Sequence, residues 1–103
     1  MATPADQLAA EVAKAAAASL AERTDADGGV AYSIDEIVVV VLHEATAEFR
    51  LRADVAAAAA RTPEATMSSR GPEWVAFSPT TFDRFTRDRI EAWFEFAVRQ
   101  VGH

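Results

Sequence analysis

Residues 37–42 read Ile-Val-Val-Val-Val-Leu, an unbroken apolar, mostly β-branched block that constrains the fold more than any other part of the chain. β-Branched side chains are stiff about χ1 and suit a pleated surface better than a helix. The residues that follow alternate. Ala45, Ala47, Phe49 and Leu51 are interleaved with Thr46, Glu48, Arg50 and Arg52, the period-two signature of a half-buried strand. The pattern predicts two strands over 36–43 and 45–52, although the joint His43-Glu44-Ala45 holds no Gly, Asn or Pro to make a hairpin turn. The alternative is one long helix over 34–61, capped by Ser33-Ile34-Asp35-Glu36, in a mostly α fold.

The same block bears on association. A strand with one wet face alternates, whereas a continuous apolar strand implies cover on both faces. Left bare, a β-branched and uncharged segment of this kind invites aggregation. A two-fold contact with a second copy would supply the missing cover, with Val38, Val40 and Leu42, or the opposite set Val39 and Val41, at its centre. The expectation is a homodimer.

Half of the 103 residues are hydrophobic, but 24 of them are alanines, which bury little area each. One modest domain fits that supply of large side chains. Residues 1–60 carry four basic and ten acidic groups, and residues 61–103 carry six of each, for a net charge of −6. An acidic half repels phosphate backbones, which disfavours nucleic acid as a partner. Nine Arg against one Lys, with abundant Ala, reflects a GC-rich genome and not a chemistry. The start, Met1-Ala2-Thr3-Pro4-Ala5-Asp6, has no basic n-region, and no apolar run approaches the roughly 20 residues of a membrane span. A cytoplasmic protein without membrane attachment is expected.

Thr3-Pro4-Ala5-Asp6 starts a helix, with Leu8, Val12, Ala15, Ala16 and Leu20 on one stripe, running to about Arg23 before a polar turn over 24–29. Val30–Ile34 reads as a short strand, Asp54 as the cap of a helix to Arg61, and 63–72 as an exposed loop where proteolysis should begin, after Arg70 or Arg61. Glu73–Phe77 reads as a strand, and Thr80 or Thr81 opens the last helix, with Trp74 and Trp93 both expected to be largely buried. The order α-β-β-β-α-β-α is an α+β fold, a small antiparallel sheet packed by N-terminal and C-terminal helices.

Little of this carries chemistry. Asp25 and Asp27 stand beside glycines but lack the spacing of a calcium loop. His43 and His103 belong to no metal-ligand pattern, no Cys is present, and no glycine run forms a phosphate loop. No catalytic set, metal or cofactor is expected. Arg50, Arg52, Arg84 and Arg87 could contact phosphates, but Asp83, Asp88 and Glu91 interleave with the helical arginines and read as a self-neutralised face. Phe82, Phe85, Trp93 and Phe94 could line a ligand pocket, though at helical spacing such a stripe reads first as core.

The stretch 49–101, with Glu73-Trp74-Val75, Asp83 and Ala92-Trp93-Phe94, resembles the small MmcQ/YjbR-type proteins, in which a Gly-Trp-Val-like strand precedes the last helix. Glu73 stands where that pattern has glycine. The resemblance implies a double-wing, DNA-binding-like fold and no catalytic residues. Acidic secretion chaperones are similar in their order of elements, an analogy of fold only. The function expected is a non-enzymatic protein-binding module, homodimeric, with a nucleic-acid-binding regulator and a small-ligand binder as alternatives.

Overall fold

A computed structural model describes residues 3–26 and 28–101. Among them, α1 (Pro4–Ala18), α2 (Ala53–Ala59) and α3 (Arg84–Val101) pack against one face of a six-stranded sheet. The strands are β1 (Glu22–Ala26), β2 (Gly29–Ile34), β3 (Ile37–His43), β4 (Thr46–Arg50), β5 (Ala65–Met67) and β6 (Trp74–Phe77). They lie in the order β1-β2-β3-β4-β6-β5, every pair antiparallel. The fold is α+β as expected, with the two strands of the 36–52 region in place and the single-helix alternative excluded.

Two strands were not expected. β1 begins where the first helix was expected to continue to Arg23. That helix stops at Ala18, because Leu20 takes a left-handed backbone (φ 58) and the Ala21 amide turns back onto the Ala16 carbonyl at 3.0 Å. β5 occupies the middle of the segment expected to be a loop, so only its flanks are irregular. Limited digestion should therefore start after Arg61, exposed in the turn leaving α2, and not after Arg70, whose guanidinium is bound to Glu48. Mass analysis of the first tryptic fragments checks this, and an initial cut within β3 or β4 would contradict it.

The helix starts follow local hydrogen bonding. Thr3 and Asp6 form a reciprocal cap on α1, at 3.1 and 3.3 Å. α2 has Arg52 as its N-cap without a side-chain cap, so Asp54 sits inside the first turn and pairs with Arg52 instead of capping. α3 opens later than Thr80 or Thr81, because Asp83 accepts the Thr86 amide at 2.9 Å.

Core and open faces separate strand by strand. Tyr32, Val40, Leu42, Ala47, Phe49, Val75 and Phe77 face the helices and are buried, with Leu8, Val12, Ile90, Trp93 and Phe94 above them. The valine block is interrupted by a bulge. Tyr32 pairs with Val40 but Ser33 pairs with Val38, leaving Val39 as the extra residue. Val39 and Val40 are both fully buried, while Val38 remains 37% exposed. The block therefore needs much less cover on its second face than an unbulged strand would. At the far end of β3, Gly29 lies so close to the Leu42 carbonyl that a Cβ there would collide with it.

Candidate functional site

The face of the sheet opposite the helices has no helix across it among the described residues. Alternation brings Ala31, Val38, Val41, His43, Glu48, Arg50, Trp74 and Ala76 onto it. Glu48 is the unusual member. It lies between the core residues Ala47 and Phe49 on β4, points to the open face, and is nonetheless 8% exposed. A carboxylate removed from water persists only when charged or hydrogen-bonding partners replace its hydration.

Those partners come from two directions. His43, at the end of β3 and near the turn whose Glu44 has φ 52, places Nε2 at 2.8 Å from Glu48 Oε1. Between β5 and β6, Ser68 Oγ donates to Glu48 Oε2 at 3.0 Å and Arg70 Nε donates to the same oxygen. The Ser68 hydroxyl also accepts the Arg70 amide at 3.1 Å, and the guanidinium lies 5.6 Å from the Trp74 ring centroid. The segment 68–70 is thereby drawn across the open face onto β4.

Burial on its own pushes the Glu48 carboxyl upward. Hydrogen bonds from His43, Ser68 and Arg70, together with the Arg70 charge, outweigh it and hold the group below its ordinary value. An anion so fully engaged is a poor proton donor or acceptor near neutrality. The Ser68 hydroxyl donates to that carboxylate, and no imidazole nitrogen is hydrogen-bonded to it among the described residues. The arrangement fastens a loop and fixes Trp74 on the open face. A shallow depression of about 400 Å³ beside it is lined by Gly28, Gly29, Val30, Ala31, Val41, His43 and Arg70.

The expected sites are distributed differently. Of the interface set Val38, Val40 and Leu42, only Val38 reaches the open face. Val40 and Leu42 lie in the chain's own core at 0% and 6% exposure, because the bulge inverts the alternation between Val38 and Val40. In the opposite set, Val39 is buried and Val41 is half-buried on the open face. Phe82, Phe85, Trp93 and Phe94 do not enclose a common pocket. Trp93 and Phe94 are core residues, Phe82 packs at its edge, and Phe85 is 65% exposed. Only Phe94 of the four reaches the cleft of about 190 Å³ between α1 and α3.

The four arginines form no common surface. Arg50 is on the open face, 4.0 Å from Glu73. Arg52 is bound to Asp54 at 2.7 Å, while Arg84 and Arg87 belong to α3 in the helix layer, with Arg87 3.5 Å from Glu11. Trp74 corrects a further expectation: it is half-buried beneath Arg70 and lies on the face opposite Trp93. Asp27 and His103 lie outside the described residues, and no group of three metal-ligating side chains occurs among the described ones. Among the described residues, no helix is long and apolar enough to cross a membrane.

Sequence reasoning missed Glu48 and its link to Arg70. The only available signal was Glu48's place in the alternation, which is that of any outward polar residue. The chain matches no known family model, no curated protein and no solved structure.

Proposed function

We propose that this chain is a non-enzymatic, cytoplasmic protein-interaction module that works as a homodimer, two copies meeting through the helix-free face of the sheet. The observation that carries this reading is the apolar content of that face. Ala31, Val38, Val41, Trp74 and Ala76 stand on it side by side, none of them covered by a helix. Charge favours a second copy as the occupant. The protein carries −6 overall, and copies approaching through most surfaces would repel. The open face instead sets Arg50 and Arg70 against Glu73 and Glu48, so its fixed charges balance. The Glu48–Arg70 pairing also holds Trp74 in one position before contact, which lowers the entropy lost on association. A core completed without cysteine suits a reducing compartment.

Sedimentation equilibrium tests the proposal. The parent should run at twice its 11.1 kDa mass at micromolar concentration. Val41→Asp puts a charge at the centre of the face without entering the core, and should yield a monomer with parent-like circular dichroism. Val40→Asp is the wrong probe, since Val40 is fully buried and its replacement would unfold the chain. A parent that stays monomeric at tens of micromolar overturns the proposal.

A further inference from the structure

We infer that the corner formed by the end of α1 and the β2–β3 turn is a docking surface for a basic, apolar peptide segment of a partner protein. The corner is apolar at its centre. Leu20 is 87% exposed and shares a surface hollow with Ile34, and Ile37, the strand partner of Ile34, is 40% exposed. Three carboxylates surround it, Glu22, Asp35 and Glu36, all exposed and none with an ion-pair partner among the described residues. Arg23, the nearest base in sequence, is turned to Asp25 at 3.1 Å. An apolar centre with an unneutralised acidic rim is complementary to a segment that presents large apolar side chains between lysines or arginines.

Residue choice at the corner runs against local conformational preference. Leu20 occupies the left-handed position that ends α1, where glycine avoids the Cβ clash, and it leaves its side chain in water. Asp35 and Glu36 both have positive φ (50 and 70), in a two-residue turn where Asn-Gly is preferred. Folding alone is served better by glycine at positions 20 and 36, and a contact with a partner accounts for the exposed leucine at the first of them. Val41, on the open face, lines a different hollow from this corner. The inference rests on the reading of the chain as a protein-interaction module, though not on its dimer.

Leu20→Gly provides the decisive variant, because it removes the apolar knob, leaves the charge unchanged and relieves the backbone. Its melting temperature should equal or exceed the parent's; a marked fall would show that Leu20 packs internally and would end the inference. The binding probe is a labelled synthetic peptide of repeating Leu-Lys-Lys-Leu pattern, followed by fluorescence anisotropy, with a Glu-for-Lys peptide as control. The basic peptide should bind the parent and shift the backbone amides of residues 19–22 and 33–37, and the acidic one should not bind. Leu20→Gly should weaken binding by about tenfold or more, as expected for loss of one buried leucine contact. Equal binding by Leu20→Gly would mean that a −6 protein attracts lysines without using this corner, and would overturn the inference. The dimer variant Val41→Asp should bind the peptide like the parent, so failure of the dimer and failure of this surface are read separately. If Leu20→Gly dissociates a parent dimer, the occupant is a second copy and the assignment to a partner protein is wrong.

Discussion

Trp93→Ala is expected to lower the unfolding free energy by about 3–5 kcal/mol, the usual cost of truncating a large aromatic side chain in a core. Trp93 stands on α3, is 8% exposed, and meets Phe49 and Phe77 edge-on at centroid separations of 5.7 and 5.1 Å. Those two rings come from adjacent strands, β4 and β6, so one side chain ties the last helix to the middle of the sheet. Edge-to-face pairs add roughly 0.5–1.5 kcal/mol beyond area burial. The many alanines of α1 and α2 are too small to refill the space, and Leu8 and Val12 are already fully buried. Against a typical total of roughly 5–15 kcal/mol, the variant should be mostly unfolded at moderate denaturant. Urea unfolding followed by the remaining Trp74 fluorescence measures the change. Phe85→Ala, on the same helix but 65% exposed, is the control and should shift stability by no more than about 0.5 kcal/mol. A Trp93→Ala curve that overlays the parent's would place the side chain outside the core.

The strands that could be read in the sequence are those whose side chains alternate or cluster. β4 alternates cleanly because one face meets Trp93 and the other meets Arg70 and solvent. β3 is recognisable from its β-branched run, but the same run conceals its bulge: among identical valines nothing marks Val39 as the extra residue, so plain alternation groups Val38 with Val40 and Leu42, which the bulge places on opposite faces. β1 could not be read at all. Glu22-Arg23-Thr24-Asp25-Ala26 is an edge strand whose stability comes from backbone pairing with β2, and edges commonly carry charge to block unwanted pairing. The end of α1 was missed for a related reason. Leu20 continues the apolar stripe of the helix, and the left-handed turn that stops the helix falls on a residue that gives no stop signal. The Glu48 cluster joins residues 20 and 22 positions apart, a distance at which periodicity is silent.

Removing the partner of Glu48 is expected to cost more than removing Glu48 itself. Arg70→Leu leaves a buried carboxylate with His43 and Ser68 but without its full positive charge, and an under-compensated buried group costs about 1–3 kcal/mol. Glu48→Leu instead frees three groups that can turn to water, since the Arg70 and His43 side chains are already 44% and 41% exposed, and places an apolar side chain beside Trp74. Its cost should stay below about 1 kcal/mol. The double variant should resemble Glu48→Leu, because the penalty of Arg70→Leu exists only while the carboxylate remains. Acid supplies an independent reading. With its folded pKa below the ordinary 4.5, Glu48 contributes stability that is fully present above that value and is lost as pH falls through the folded pKa. Asp54 and Asp83, also lowered by their hydrogen bonds, act in the same direction, so the informative quantity is a difference between proteins. Glu48→Gln keeps an acceptor but cannot titrate, and its stability should fall less steeply than the parent's below pH 4.5. Parallel curves for the two proteins, or an Arg70→Leu variant no less stable than Glu48→Leu, would show that the carboxylate is solvated and that the loop crosses the open face without being fastened there.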